Sequence, residues 1–402
     1  MNRDQLVHDP AGPVLLVGGY GTVGAELARE AAGQWPLLLV GRSPEKAGEL
    51  CREVSAEARR WDLADPAPFG AAVRAVVGLV NDPDDRVLRA ALDGGVPYVD
   101  VTRWTARMQR AVALTALGPS PADAAQAPPA SPASPAPPTP PASPAPVLLS
   151  SGWMGGVVPL VAAALAGRLG GADSVETSIR YDLADRSGAD SVEFMDRLGI
   201  DFEVVEDGRS TVVTPLTGTR TLDIGQDRTK VARIDTPEQF TLPLTLGART
   251  VTTRIGFSST AATSTLVGLG RAGFFRHARG DCWRPVRRRL LHSPGEGGTA
   301  ALRVEVRGPR GVLGATVTDP RGQAHLTAVG ALAGLRRVLG TDGAPARPGL
   351  SFPESHPLPH TILAGLEAAG VRIDLDPDTA LGSEPGPGLA RRPAAGSAGV
   401  AA

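Results

Sequence analysis

The stretch from Pro13 to Glu30 constrains the fold of this chain more than any other. Val14 to Val17 is a continuous apolar run with β-branched residues at both ends. Such a run reads as a strand buried on both faces, as in a parallel sheet. Gly19, Gly21 and Gly24 follow at G-x-G-x-x-G spacing, and Val23, Leu27 and Ala31 then recur on one helical face. Each glycine has an expected job. Gly19 turns the chain out of the strand, Gly21 leaves the backbone open to a pyrophosphate, and Gly24 lets the helix pack close to the strand. The helix N-terminus offers N–H groups and the positive end of a dipole to phosphates. The spacing predicts a dinucleotide site made of Gly19, Tyr20, Gly21, Thr22, Val23 and Gly24. Its alternative is a tight turn without a ligand.

The next elements repeat the strand-then-helix alternation. Leu37 to Val40 reads as a second buried strand, and Pro44 suits the first turn of the helix after it. In an NAD site an acidic residue at the end of this strand grips the ribose 2′-hydroxyl. Here Gly41 takes that place, followed by Arg42, Ser43 and Lys46. A guanidinium, a hydroxyl and an ammonium suit a 2′-phosphate, so the expected cofactor is NADP. The alternative is that Arg42 and Lys46 are solvated charges. Ala58 to Asp62 reads as a third strand, with Asp62 and Leu63 near the adenine edge, or with Asp62 or Asp65 capping a helix from Pro66. Val76 to Val80 is a fourth, and Asn81 and Asp82 at its end either line the cofactor or cap the next helix. Val96 to Asp100 is a fifth, where Asp100 either faces the nicotinamide site, able to steady a cationic iminium, or caps a turn. Val147 to Ser151 is a sixth. Trp153, Met154 and Gly155 beyond it read as an apolar substrate wall or as packing.

These elements predict an α/β fold: a doubly wound N-terminal domain over residues 12–170, then a second α+β domain over 173–345. From about Asp173 the apolar period changes to two, with short strand candidates as far as Val317, which predicts a mostly antiparallel sheet. Residues 346–377 are expected to pack back on the first domain, and 378–402 to be a disordered tail. Residues 118–146, rich in Pro, Ala and Ser, read as a mobile insertion entering the sixth strand from the sheet edge away from the cofactor.

Composition removes other functions. Lys and Arg number 41 against 42 Asp and Glu, for a net charge of −1, which argues against a dedicated nucleic-acid binder. Two cysteines, Cys51 and Cys282, give no disulfide framework, and no Cys/His spacing suits zinc. With no apolar leader and no run of about 18 apolar residues, the expectation is a cytoplasmic protein with neither membrane nor metal partner. The six histidines have no partner at a telling spacing, and His325, between Ala324 and Leu326, reads as a satisfied core residue. The arginines of 271–279 and 284–289 suit carboxylates, an acyl-carrier partner or a solvated face.

Several matched stretches together resemble the saccharopine dehydrogenase (saccharopine reductase) family. They are Gly18-Gly-Tyr-Gly-Thr-Val-Gly24, Gly41-Arg42-Ser43, Gly95-Val-Pro-Tyr-Val-Asp100, Ser151-Gly-Trp-Met-Gly-Gly156 and Phe352-Pro-Glu354. The family usually has proline where this chain has Gly155. The resemblance implies an NAD(P)-dependent oxidoreductase that transfers hydride to or from an imine or secondary amine of opine type. It also implies a second domain that carries the substrate and helps form an oligomer, here a homodimer. A carbonyl or enoyl reductase, or a nucleotide-binding protein without chemistry, are the alternatives.

Overall fold

The computed structural model describes residues 4–117, 144–151, 153–185, 196–278, 281–283, 286, 295 and 297–376. The expectations for the insertion over 118–143, for Gly152, for the arginines of 279–289 and for the tail lie outside these residues.

In chain order the elements of the first half are β1 (Leu6–His8), β2 (Val14–Val17), α1 (Thr22–Ala31), β3 (Leu37–Gly41), α2 (Gly48–Val54), β4 (Glu57–Arg60), β5 (Ala71–Val73), β6 (Ala75–Gly78), α3 (Arg86–Asp93), β7 (Tyr98–Arg103), α4 (Thr105–Leu117), β8 (Pro146–Ser151) and α5 (Val157–Leu169). The second half holds β9 (Ser174–Tyr181), β10 (Phe202–Glu206), β11 (Arg209–Val213), β12 (Arg220–Ile224), β13 (Asp227–Arg233), α6 (Glu238–Leu246), β14 (Thr250–Phe257), α7 (Thr260–Arg271), α8 (Phe274–His277), β15 (Ala300–Gly308), β16 (Gly311–Asp319), α9 (Gln323–Leu339), β17 (Gly349–Ser351), α10 (Pro359–Ala368) and β18 (Arg372–Leu375).

The first sheet is parallel and runs β17-β8-β7-β6-β2-β3-β4. Without β17 this is the doubly wound order, whose ligand crevice lies outside the carboxyl ends of the strands. Alternation along β2 serves two layers. Val14 and Leu16 join Leu27 and Ala31 of α1 and Leu332 and Leu335 of α9; Leu15 and Val17 join Val87 and Leu88 of α3 and Met108 of α4. The second sheet runs β12-β13-β14-β9-β15-β16-β18 and is antiparallel except between β9 and β14, as the pattern of short alternating strands predicts.

Two helices have exchanged their expected domains. α5, assigned by its position to the first domain, is buried on nearly all sides within the second core, with Val175, Ile179, Val304 and Val306. Its sequence is apolar all round, so it needs neighbours on every face. α9, expected in the second domain, covers the first sheet instead. Gly334 allows this approach: a Cβ there would lie 3.2 Å from both Val99 and Leu148. The segment 346–377 likewise serves both domains, because β17 extends the first sheet and β18 the second.

Smaller corrections concern edges. No helix begins at Pro66; the Arg86 guanidinium collects the carbonyls of Leu63, Asp65 and Ala67, which holds that stretch as a loop. β5 leaves the loop to pair with β1 in a separate two-stranded ribbon. Pro146 belongs to β8 rather than to the insertion, and β7 continues past Asp100 to Arg103.

Candidate functional site

The turn after β2 divides its labour differently from the expectation. Gly18, not Gly19, is the left-handed residue, at φ 86°. Gly19 is tightly packed: a Cβ there would lie 2.9 Å from Leu16 and Leu39. A Cβ on Gly24 would lie 2.7 Å from the Gly19 Cα, the close helix–strand approach that the spacing predicts. Gly21 differs from both. Its Cβ would meet one neighbour, the Gly18 carbonyl oxygen at 3.3 Å, a milder crowding than at Gly19 or Gly24. No side chain caps α1, and no acidic residue stands in its first turn. This cradle fits a pyrophosphate.

Tyr20 explains the glycine at the end of β3. A Cβ at Gly41 would run into the Tyr20 ring, and the Tyr20 hydroxyl accepts the Ser43 N–H at 2.8 Å. The position where an acidic residue would grip a ribose is therefore filled by the phenol. Arg42 and Lys46 stand exposed just beyond it, with no side-chain hydrogen bond or ion pair among the described residues. Asp62 caps its own turn through the Ala64 N–H, and Leu63 packs partly buried near Trp61, whose ring stacks on Phe69 at 4.7 Å.

At the end of β6 the Asn81 amide oxygen accepts from Arg107. Asp82 is buried and accepts the Val87 N–H at 2.8 Å, so its carboxylate turns into the start of α3. The capping alternative is the one its geometry satisfies.

At the end of β7 the hydrogen bonds of Asp100 match its turn-capping alternative. Its Oδ2 accepts the Tyr98 hydroxyl at 2.7 Å, its Oδ1 accepts the N–H and hydroxyl of Thr102 at 2.8 Å, and Arg103 lies 2.9 Å away. Arg103 is fully buried and bridges to Asp85 at 2.5 Å, which Arg110 also holds at 2.5 Å. Burial alone would push the Asp100 carboxyl up, but Arg103 and Arg107 outweigh it and hold it below the usual range. Burial and the Asp100 charge push the Tyr98 hydroxyl well up. A carboxylate so neutralised has no free charge to offer an iminium. The pairing with β8 shifts register between Asp100 and Arg103, a bulge of the kind that re-aims side chains at sites.

Beyond β8 the backbone is left-handed at Met154 (φ 54°), Gly155 (φ 56°) and Gly156 (φ 93°). Proline, fixed near −65°, cannot stand at Gly155 in this conformation. Trp153 and Met154 are buried. Trp153 makes edge contacts with Trp104 at 6.1 Å and Tyr181 at 6.3 Å, tying the two domains together. A Cβ on Gly155 would collide with the Thr327 carbonyl of α9. For these three residues packing is the role that the geometry satisfies.

The expectations contained no group for the most unusual carboxyl of the site. Glu238 opens α6 and is 3% exposed. Neither of its oxygens has a well-formed hydrogen bond; Thr236 and Ser151 are its hydroxyl neighbours, and Glu354 is the charged one. Burial pushes its carboxyl up to about 7. Burial also raises Glu354, whose Oε1 accepts the Thr245 hydroxyl at 3.1 Å. In sequence Glu238 reads as an ordinary acid in a helix first turn, and Arg103 as a charge beyond a strand; neither has a local signal. His325 is buried as expected, with Asp319 at 2.6 Å and Glu30 at 3.1 Å.

No family model matches the chain, and no curated protein matches it in sequence. Among solved structures it resembles the L-Glu-forming saccharopine dehydrogenase of Saccharomyces cerevisiae, with a TM-score of 0.58 and 12% identity, covering 91% of this chain and 99% of that one. It also aligns with myo-inositol dehydrogenase of Corynebacterium glutamicum (TM-score 0.40, 13% identity, 92% and 99% covered). A third is scyllo-inositol dehydrogenase of Lactobacillus casei (TM-score 0.39, 11% identity, 93% and 100% covered). The first likeness shows a saccharopine dehydrogenase-like fold over almost the whole chain, with a doubly wound first domain and a second domain. Among the described residues no helix is long and apolar enough to cross a membrane.

Proposed function

We propose that this chain, with its saccharopine dehydrogenase-like fold, is an NADP-dependent oxidoreductase acting on an imine or secondary amine of opine type. The observation that carries the reading is the cradle at Gly21. A Cβ there would press on the Gly18 carbonyl oxygen at 3.3 Å, so the turn stays bare beside an uncapped helix N-terminus, and Arg42 and Lys46 stand unpaired at the end of the neighbouring strand. A nicotinamide cofactor supplies reversible hydride chemistry when bound. The protein's own contribution is binding and placement. The turn from Gly18 to Gly24 receives the pyrophosphate, and Arg42, Ser43 and Lys46 receive the 2′-phosphate. Asn81 and the ends of β6, β7 and β8 border the nicotinamide half of the crevice. The buried Asp85–Arg103–Asp100 cluster fixes the end of β7, so that the bordering backbone is rigid. A small molecule is the partner expected in such a crevice.

Fluorescence titration with NADPH and NADH tests the cofactor. Tighter NADPH binding is expected, and equal or tighter NADH binding overturns the NADP assignment. NADPH consumption with pairs of amines and 2-oxo acids tests the reaction. Consumption with carbonyl or enoyl substrates alone would move the assignment to that class.

A further inference from the structure

One cation at the β3–β4 end of the crevice has no task in the reading above. Arg60 is the last residue of β4, the edge strand of the first sheet beside β3, and its side chain is 67% exposed. Resting on the NADP reading, we propose that Arg60 is a second guanidinium for the 2′-phosphate, closing on it from β4 while Arg42 holds it from β3.

Strand register places the residue. β3 and β4 are parallel, and Gly41 pairs with Arg60. The Trp61 N–H donates to the Gly41 carbonyl at 3.0 Å, so the pairing holds to the end of both strands. Neighbouring strands lie about 4.8 Å apart. Arg60 therefore stands one strand spacing from the position where an acidic residue would grip a ribose. Alternation along β4 then decides which way it faces. Val40 lies in the core on the α3–α4 side. Its partner Arg59 turns to that side too, laying its guanidinium over Phe69 at 4.7 Å and donating to the Gly70 carbonyl at 3.1 Å. Gly41 and Arg60 face the opposite way, towards Tyr20, whose ring takes the space of a Gly41 Cβ. Tyr20 belongs to the Gly18–Gly24 turn, and Arg42 follows Gly41 directly. The proposed pyrophosphate turn, Arg42 and Arg60 thus border one corner of the crevice.

Charge distinguishes the two arginines of β4. Arg59 is held by Phe69 and Gly70. Among the described residues the one ion pair of Arg60 is with Asp62, at 3.8 Å, the outer limit of such contacts. Asp62 also accepts the Ala64 N–H at 3.1 Å. So loose and exposed a pair contributes little, and a stronger anion displaces it. A phosphate monoester is such an anion, with a charge of about −1.5 to −2 at neutral pH. Two planar guanidiniums can each take two of its oxygens, which a single one cannot match. NADH offers only a hydroxyl at that place, so Arg60 adds nothing to its binding.

Arg60→Ala and Arg60→Glu in the full chain test this by calorimetric titration with NADPH, NADH, adenosine 2′,5′-bisphosphate and AMP. Arg60→Ala should weaken NADPH and the bisphosphate about 10- to 100-fold and leave NADH and AMP within about twofold. Added salt should weaken NADPH less steeply in this variant than in wild type. Arg60→Glu sets a like charge against the phosphate and should weaken NADPH further, again sparing NADH. Equal losses for all four ligands, or NADPH affinity within about twofold of wild type in Arg60→Ala, overturn the assignment. If either variant does not fold, Arg60→Lys keeps the charge and carries the same test. A point charge cannot fork two oxygens, so it too should weaken NADPH relative to NADH. The wild type separates the two claims. No preference for NADPH over NADH sinks the NADP reading and the role of Arg60 with it. A preference that survives Arg60→Ala unchanged sinks only Arg60.

Discussion

The two ends of the crevice are built in opposite ways. At the β2 end, one stretch of seven residues, Gly18 to Gly24, makes the proposed cradle, with Gly24 packed directly on Gly18 and Gly19. At the β7–β8 end, Asp85, Asp100, Arg103, Ser151, Glu238 and Glu354 come from five separate parts of the chain. The first end is a backbone site, held by spacing. The second is a side-chain site, held by burial and charge. A backbone site loses ligand affinity when altered, whereas a buried charge site loses stability first.

The sharpest test of that contrast is Arg103→Met. It leaves Asp85 and Asp100 buried without their shared cation, which should cost about 3–5 kcal/mol in urea unfolding. A loss below about 1 kcal/mol would show that the cluster contributes no more than surface pairs do. At the opposite end, Gly21→Val should reduce NADPH affinity at least about 100-fold, equivalent to about 2.7 kcal/mol. Its unfolding midpoint should change less than the affinity does, because the new Cβ crowds one atom, the Gly18 carbonyl oxygen at 3.3 Å. Retained NADPH affinity would mean that the turn is not the cradle.

The same contrast decides what could be read in advance. The β2–α1 unit was legible because the strand run, the glycine spacing and the helical period all lie within one window. α9 was legible in its bounds, Gln323 to Leu339, but not in its destination. Its pattern says that it must bury a face without saying which sheet receives it. α5 shows the same limit, since all-round apolarity demands burial and names no partner. Asp100 was legible as a residue at the crevice but not as the neutralised partner of Arg103, because that pairing depends on the bulge in β7. Glu238 was invisible, since nothing within ten residues marks that β8 and Pro353–Ser355 will close over it.

The pH dependence of stability probes Glu238 without any ligand. Its carboxyl is raised to about 7 from an ordinary 4.5. Below about pH 4.5 both folded and unfolded chains hold the proton, so the group contributes nothing. Between about 4.5 and 7 the unfolded chain releases the proton while the folded chain keeps it, so stability falls as pH rises. Glu238→Gln should therefore be more stable than wild type at pH 8, by about 3 kcal/mol, and nearly equal to it at pH 4.5. A difference that does not vary with pH would show Glu238 ionising normally.

Arg42→Ala sharpens the backbone end. It removes a charge-assisted contact to a 2′-phosphate and should weaken NADPH by about 1–3 kcal/mol. NADH, which lacks that phosphate, should bind nearly unchanged. Equal losses for both cofactors would place Arg42 elsewhere on the dinucleotide.

The smallest expected effect isolates how the β3 end is shaped. Tyr20→Phe removes the hydroxyl that accepts the Ser43 N–H while keeping the ring that Gly41 makes room for. The ring packing survives, so stability should fall by only about 0.5–1.5 kcal/mol, the net worth of one hydrogen bond. The larger consequence is positional. Ser43 carries Arg42 on one side and the turn containing Lys46 on the other, and its N–H is their anchor to the cradle. If the 2′-phosphate is gripped by that segment, Tyr20→Phe should weaken NADPH more than NADH, in the same direction as Arg42→Ala but less. Combining the two substitutions should then give less than the sum of the separate losses, because both act through one contact. Full additivity would mean that Tyr20 supports the strand end without placing Arg42, and that the segment's geometry is set by Pro44 and the turn alone.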